Sequence, residues 1–287
     1  MKRILVTGAR SQLAQCIYDQ AHNSDQLQLE FVDREAFDLT QPAQMAAYLE
    51  THSFDYCINT AAYTKVEAAE SDQELAHAVN GQGALNLAVL CKEHGITLVH
   101  ISTDYVFDGS QQVPYTEADP VGPINVYGAS KLAGERSIQE VLDAHYILRT
   151  SWLYSQYGHN FYRSVRKWAS ERDQLSITTE QIGTPTNAND LAQAILRLIE
   201  RDPKQYGLYH YSNDGQATWF DFAEAILLET GQLGAVKLVK TDHYPTFAAR
   251  PKYSVMDCSK FEQQFGNITT EPHWKARLKN LILTTDK

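Results

Sequence analysis

Cysteine is scarce and unpatterned in this chain. The four cysteines, Cys16, Cys57, Cys91 and Cys258, lie far apart with no Cys-x-x-Cys pair, so no disulfide framework is expected. The ten histidines are scattered as well, and the sequence offers no metal site. Basic residues are outnumbered, 25 against 35 acidic, for a net charge of -10. That balance argues against nucleic acid or an anionic membrane as the main partner, and leaves room for a local basic site that takes a phosphorylated ligand. No apolar run approaches the length of a membrane span. Met1-Lys2-Arg3 leads into only three apolar residues, too few for a signal peptide, and a cytoplasmic protein is expected. Internal repeats and low-complexity linkers are missing too.

What is there reads as an ordinary globular protein, with 43% hydrophobic and 21% charged residues over 287 positions. The length suits one large or two medium domains. The first half alternates strand and helix patterns. Strands are predicted at Ile4–Val6, Leu29–Val32, Tyr56–Asn59, Thr97–Ile101 and Tyr146–Leu148. Helices are predicted at Gln12–His22, Gln41–Thr51, Gln73–His94 and Tyr127–Leu142. Such alternation predicts an α/β fold, a Rossmann-like doubly wound parallel sheet with helices on both faces. Ligands of such sheets bind at the carboxyl ends of the strands. Gly8, Asp33, Ala61, Thr103 and Thr150, all at predicted strand ends, should therefore line one crevice.

Glycine is short where a dinucleotide site wants it. The turn after the first strand is Thr7-Gly8-Ala9-Arg10-Ser11-Gln12-Leu13-Ala14. Only Gly8 of the three fingerprint positions is glycine; Ser11 holds the second and Ala14 the third. Alanine suffices for close packing. Serine either crowds a phosphate or donates its hydroxyl to it, beside the amide groups of the helix N-terminus. Asp33 stands about twenty residues on, where an acid can bond the ribose hydroxyl of NAD. Arg34 and Arg10 lie near the same corner and suit a 2'-phosphate, so NADH and NADPH both stay open. Asp38-Leu39 follows, near the expected adenine.

Two stretches carry the chemistry: Ser102-Thr103-Asp104 at the end of the fourth strand, and Tyr127-Gly128-Ala129-Ser130-Lys131 at the head of a helix. Tyrosine and lysine four residues apart share one helix face. An ammonium there would lower the phenol pKa from about 10 toward the useful range. The Thr103 hydroxyl can bond the same oxygen as the tyrosine. This is the outline of a site that reduces a carbonyl.

Beyond residue 150 the patterns predict helices at 160–171, 190–200, 219–228, 259–265 and 274–283 and a short strand at 175–177. We expect a smaller α/β part (residues 151–287) that binds substrate and is interleaved with a dinucleotide-binding part (residues 1–150). Arg250-Pro251 in a loop suits a bidentate clamp on a diphosphate.

The motifs Ala61-Ala62-Tyr63-Thr64, Ser102 to Gly109, Pro123 to Lys131, Arg149 to Tyr154, Gln181 to Thr186 and Ala249 to Ser254 run in one order along the chain. In this the sequence resembles the extended short-chain dehydrogenase/reductases, and among them the dTDP-4-dehydrorhamnose reductase family. The resemblance implies reduction of the C4 keto group of a dTDP-linked deoxysugar by NADPH or NADH. Tyr127 would give the proton, Lys131 would hold the nicotinamide ribose and depress the tyrosine pKa, and Thr103 would position the carbonyl oxygen. Asp104 and Trp152 would contact the sugar, with Arg250 on the substrate side. Gly8, Ser11, Gln12, Leu13, Asp33, Asp38, Leu39, Ala61, Ala62 and Tyr63 would line the cofactor together with Tyr127 and Lys131. Asn80 resembles an asparagine that supports the active-site hydrogen bonds. Some members dimerise around a magnesium ion, whose ligands cannot be picked out in this sequence; the chain is expected to be a monomer or a homodimer. Two alternatives stay open: reduction of another nucleotide-linked 4-keto-6-deoxy sugar, or a non-catalytic NADP-binding regulatory subunit like that of methionine adenosyltransferase, a reading that Ser11 and Ala14 favour.

Overall fold

The computed structural model describes residues 1–21, 25–242 and 244–285. In chain order the first part runs β1 (Lys2–Thr7), α1 (Gln12–Ala21), β2 (Leu27–Val32), α2 (Pro42–Thr51), β3 (Tyr56–Asn59), α3 (Val66–Ala69), α4 (Gln73–His77), α5 (Gly83–His94), β4 (Thr97–Thr103), α6 (Val126–Val141) and β5 (His145–Thr150). The rest runs β6 (Leu153–Tyr154), α7 (Phe161–Glu171), β7 (Gln174–Thr178), β8 (Ile182–Gly183), β9 (Thr186–Asn187), α8 (Ala188–Arg201), β10 (Gly207–His210), β11 (Ala217–Thr218), α9 (Trp219–Glu229), β12 (Lys237–Thr241), α10 (Ser259–Phe265) and α11 (Trp274–Thr285). Among the described residues no helix is long and apolar enough to cross a membrane.

The central sheet is parallel throughout, in the order β10-β5-β4-β3-β1-β2. Every side chain of β3 and β5 is buried, as expected of strands covered on both faces. One face packs on α1, α8 and α10 through Ile17, Leu191, Ile195 and Phe261; the other packs on α2, α5 and α6 through Met45, Leu87 and Ile138. A further core, built on Phe222, Trp274 and Leu278, holds α7, α9 and α11 around the two-stranded β12-β7 sheet. The chain leaves β1 outward to β2 and returns to place β3 on the other side of β1. The strand order therefore reverses between β1 and β3, where open sheets of this kind form their ligand crevice.

Three readings of the sequence need correction. The long helix expected over 73–94 is interrupted by a wide π turn at Ala78–Gln82. Its cause is Asn80, whose side chain leaves the helix surface to bond the backbone of Tyr63 and the hydroxyl of Ser130. The strands at 97 and 146 run longer than predicted, so Thr103 and Thr150 are their last residues rather than the residues after them. The sixth strand, β10, went unrecognised because Gly207–His210 is too short to show a period. It adds to β5, and with α8 packed on α1 it brings residues 188–210 into the body of the first part. The first helix was expected to reach His22; it runs to Ala21, and residues 22–24 lie outside the described set.

Candidate active site

Gly8 begins the site. Its φ of +69° suits glycine, and a Cβ there would lie 2.8 Å from the Ala61 backbone nitrogen. The loops after β1 and β3 thus close on each other, and a cleft opens above them. Near the ends of β1, β2 and β3 it holds a cavity of about 460 Å³ that includes Gly8, Asp33, Asp38, Leu39, Ala61, Ala62 and Tyr63. A second cavity of about 570 Å³ shares Arg10, Ser11 and Ala61 with the first and runs over β4 and β5. It is lined by Gln12, Leu13, Thr103, Asp104, Tyr127, Lys131, Trp152 and Arg250. The fold therefore brings together every residue singled out from the sequence as a cofactor or substrate contact. Asn80 alone stands behind the wall.

Ser11 lines both cavities, and its hydroxyl is held by neighbours within the protein. Its Oγ accepts the backbone N–H of Ala14 at 3.1 Å, which caps α1, and lies 2.8 Å from Thr60 Oγ1. The serine is a helix cap. Gln12 stitches the two parts: its amide donates to the Leu153 carbonyl, and its Oε1 accepts from Ser155 and Asn160.

The outer corner is exposed and charged. Arg10 Nη2 reaches Asp33 Oδ2 at 2.7 Å, and Arg34 Nε reaches Asp38 Oδ2 at 2.8 Å. Partial desolvation raises the Asp33 pKa, but the N–H groups of Glu35 and Ala36 together with Arg10 outweigh it and hold the carboxylate below its usual range. Asp38 is lowered in the same way by Arg34 and Thr40.

At the inner end burial decides. Tyr127 lines the cavity beside Thr103, whose hydroxyl donates to Asp104 Oδ1 at 3.1 Å and accepts the Tyr105 N–H; burial pushes the Tyr127 phenol up to about 12, with help from Asp104 and against Thr103. The expectation that Lys131 lowers this pKa is overturned. Lys131 Nζ lies 3.0 Å from His100 Nε2 and donates to the Ile101 carbonyl at 2.6 Å, and burial lowers its own pKa to about 8. Tyr127 is thus a neutral phenol at neutral pH, the form that can donate a proton. Asp104 is raised by burial to about 6. Its Oδ2, Thr150 Oγ1 and Arg250 Nε are buried without a partner, and all three residues line the cleft. Unpartnered buried polar atoms in the wall of a cleft are uncommon in folded proteins. Among the described residues no group of three or more His, Cys, Asp or Glu is placed to hold a metal ion, and the magnesium expectation gains no support.

Sequence reading missed three supports. Trp152 has a φ of +44°, rare for so large a residue, and its ring stacks on Trp219 at 3.6 Å between centroids. Trp219 in turn donates to Gln181 Oε1 at 2.9 Å. Gly183 leaves the room: a Cβ there would lie 2.6 Å from the Trp152 ring. Glu67 fixes the far wall, pairing with Arg250 Nη2 at 2.7 Å and accepting the N–H groups of Phe247 and Ala248. Beneath the site, Glu135 takes Arg149 in a bidentate pair at 2.9 and 2.7 Å and accepts the Ser102 hydroxyl. Only the helical spacing Lys131-x-x-x-Glu135 could have hinted at the last.

Comparison with known proteins agrees with this geometry. The family model described as RmlD substrate binding domain matches residues 1–286. A dTDP-4-dehydrorhamnose reductase of Sinorhizobium fredii is 36% identical over 98% of this chain and 96% of its own. A dTDP-4-keto-6-deoxy-D-glucose reductase of Streptomyces niveus is 34% identical over 96% and 95%. The crystal structure of Bacillus anthracis dTDP-4-dehydrorhamnose reductase in complex with NADP superimposes with a TM-score of 0.92 at 35% identity, covering 99% of both chains. The chain belongs to the dTDP-4-dehydrorhamnose reductase family.

Proposed function

We propose that this chain reduces the C4 keto group of dTDP-4-dehydro-L-rhamnose to give dTDP-L-rhamnose, with NADPH as the preferred donor. The observation that carries the reading is the meeting of Thr103, Tyr127 and Lys131 on one cavity at the inner end of the cleft, with Tyr127 and Lys131 one helical turn apart. NADPH supplies a hydride to the keto carbon. The chain's part is to hold that carbon in line and to give the oxygen a proton. Tyr127, kept neutral by burial, donates it. Thr103 bonds the same oxygen and steadies the developing alkoxide.

Residues 1–150 would carry the cofactor and 151–287 most of the substrate, with Gln12 and its partners joining the two. Asp33, Asp38 and Leu39 belong to the adenosine end. Arg10 and Arg34 would turn from their carboxylates to a 2'-phosphate, which favours NADPH. Gly8, Ser11, Gln12, Leu13, Ala61, Ala62 and Tyr63 line the path to Lys131. On the substrate side Asp104, Trp152 and Arg250 offer a buried carboxylate, an aromatic ring and a cation to a deoxysugar diphosphate.

The test is oxidation of NADPH and NADH, followed by absorbance, with freshly made dTDP-4-dehydrorhamnose. Turnover above about 1 per second supports the reading; none with either cofactor in folded protein rejects it. The Streptomyces niveus relative favours a second substrate, dTDP-4-keto-6-deoxy-D-glucose, and a panel of nucleotide sugars separates the two.

A further inference from the structure

A buried chain of hydrogen bonds runs from Lys131 into the sheet. Lys131 Nζ lies 3.0 Å from His100 Nε2, and His100 Nδ1 lies 3.0 Å from Asn59 Nδ2. Asn59 Oδ1 meets the Thr7 hydroxyl at 2.7 Å and the Ala61 backbone N–H at 3.2 Å. All four side chains are buried.

The donors can be counted along this chain. A backbone N–H only donates, so the Asn59 atom facing Ala61 is its oxygen and the atom facing His100 is its NH2. Turning the amide would set donor against donor at Ala61. The NH2 must find an acceptor in His100 Nδ1. A neutral imidazole carries one hydrogen, which then sits on Nε2 and points at Lys131 Nζ. Charging the ring would bury a second cation beside the lysine. Burial and Lys131 accordingly hold the His100 pKa well below its ordinary value, and His145 on β5 acts in the same direction. An Nε2–H aimed at Nζ needs a lone pair there.

We propose that His100 is a positioning residue for the reduction: its Nε2–H donates to Lys131, which at pH about 9 rests as an uncharged amine in the protein alone and takes up a proton when the dinucleotide binds. The proposal rests on the reading of the cleft as a dinucleotide site.

The groups facing Lys131 agree. From β4 come His100 and the Ile101 carbonyl; from its own helix come Tyr127 and Glu135. Glu135 favours the ammonium, but its charge is already matched by Arg149, and burial outweighs it. The ribose oxygens of a bound dinucleotide, accepting from an ammonium at Lys131, would reverse the balance.

Two measurements on the full-length protein test this. The first is nitrogen NMR of histidine-labelled protein without cofactor at pH about 9, above the lowered lysine range, with His100 assigned by its loss in His100→Gln. The expected signal shows hydrogen on Nε2 and a bare Nδ1; hydrogen on Nδ1 overturns the assignment whatever the cleft binds. The second is calorimetry of NADPH binding to the unsubstituted protein at that pH, in buffers of differing ionisation enthalpy. Uptake of about one proton per cofactor is expected by linkage. In His100→Gln the amide can turn its carbonyl to an ammonium, so Lys131 keeps its proton and uptake falls toward zero. Binding without uptake in the unsubstituted protein overturns the proposal. Failure of NADPH to bind overturns the cleft reading and the uptake with it, and leaves the tautomer to be judged by the first measurement.

Discussion

The two ends of the cleft are built on opposite electrostatic terms. At the outer corner exposed Arg10 and Arg34 meet half-buried Asp33 and Asp38, and both carboxylates are held charged by arginines and N–H groups. At the inner end the groups are enclosed and every shift runs toward the neutral form: Tyr127 up to about 12, Asp104 up to about 6, Lys131 down to about 8. Solvent screens the first set and leaves it adaptable. Exclusion of water makes the second set sensitive to each proton and each partner. An exposed corner suits recognition of a charged cofactor end; a dry floor suits proton transfer to an alkoxide.

The largest effect should come from breaking the buried pair under the inner end. Glu135→Gln leaves Arg149 uncompensated, at an expected loss of about 3–5 kcal/mol in denaturant unfolding. The matching exposed change, Arg10→Ala at the Asp33 pair, should cost less than about 1 kcal/mol. Equal losses would erase the contrast between the two ends. Tyr127→Phe should lower turnover on the order of a hundredfold or more while the unfolding midpoint hardly moves. Near-normal turnover would remove Tyr127 as the proposed acid.

Asp104 sharpens the comparison through pH. Its folded pKa of about 6 lies above the unfolded value, so the folded state binds the extra proton. Stability from this group is therefore fully present below the unfolded pKa and is lost as pH rises through about 6, by about 3 kcal/mol. Asp104→Asn should flatten that part of the stability curve; an unchanged curve would mean the carboxylate is not held neutral. A smaller effect on function belongs to Arg34→Ala, which should cut the preference for NADPH over NADH by about tenfold, the size of one charge-assisted contact. An unchanged ratio would move the 2'-phosphate away from this corner.

Much of this was legible in the residues. Short apolar runs separated by helical periods gave the parallel sheet and, through it, the crevice at the strand ends. Tyr127 and Lys131 sit four apart on a helix, and Thr103 closes a buried strand, so local spacing sufficed to pair them. Other features rest on contacts distant in sequence. Trp219 stacks on Trp152 across sixty-odd positions, β10 adds to β5 from beyond the predicted boundary, and His100 meets Lys131 between a strand and a helix.

Composition and period thus determined the layers and which short motifs face the crevice, because burial of alternating apolar segments admits few arrangements. Only the tertiary structure decided the charges. A lysine beside a tyrosine reads as a cation in sequence, but how far water is excluded and which donors surround it depend on residues brought from β1, β3 and β4. Protonation follows the environment, and the environment is made by the fold.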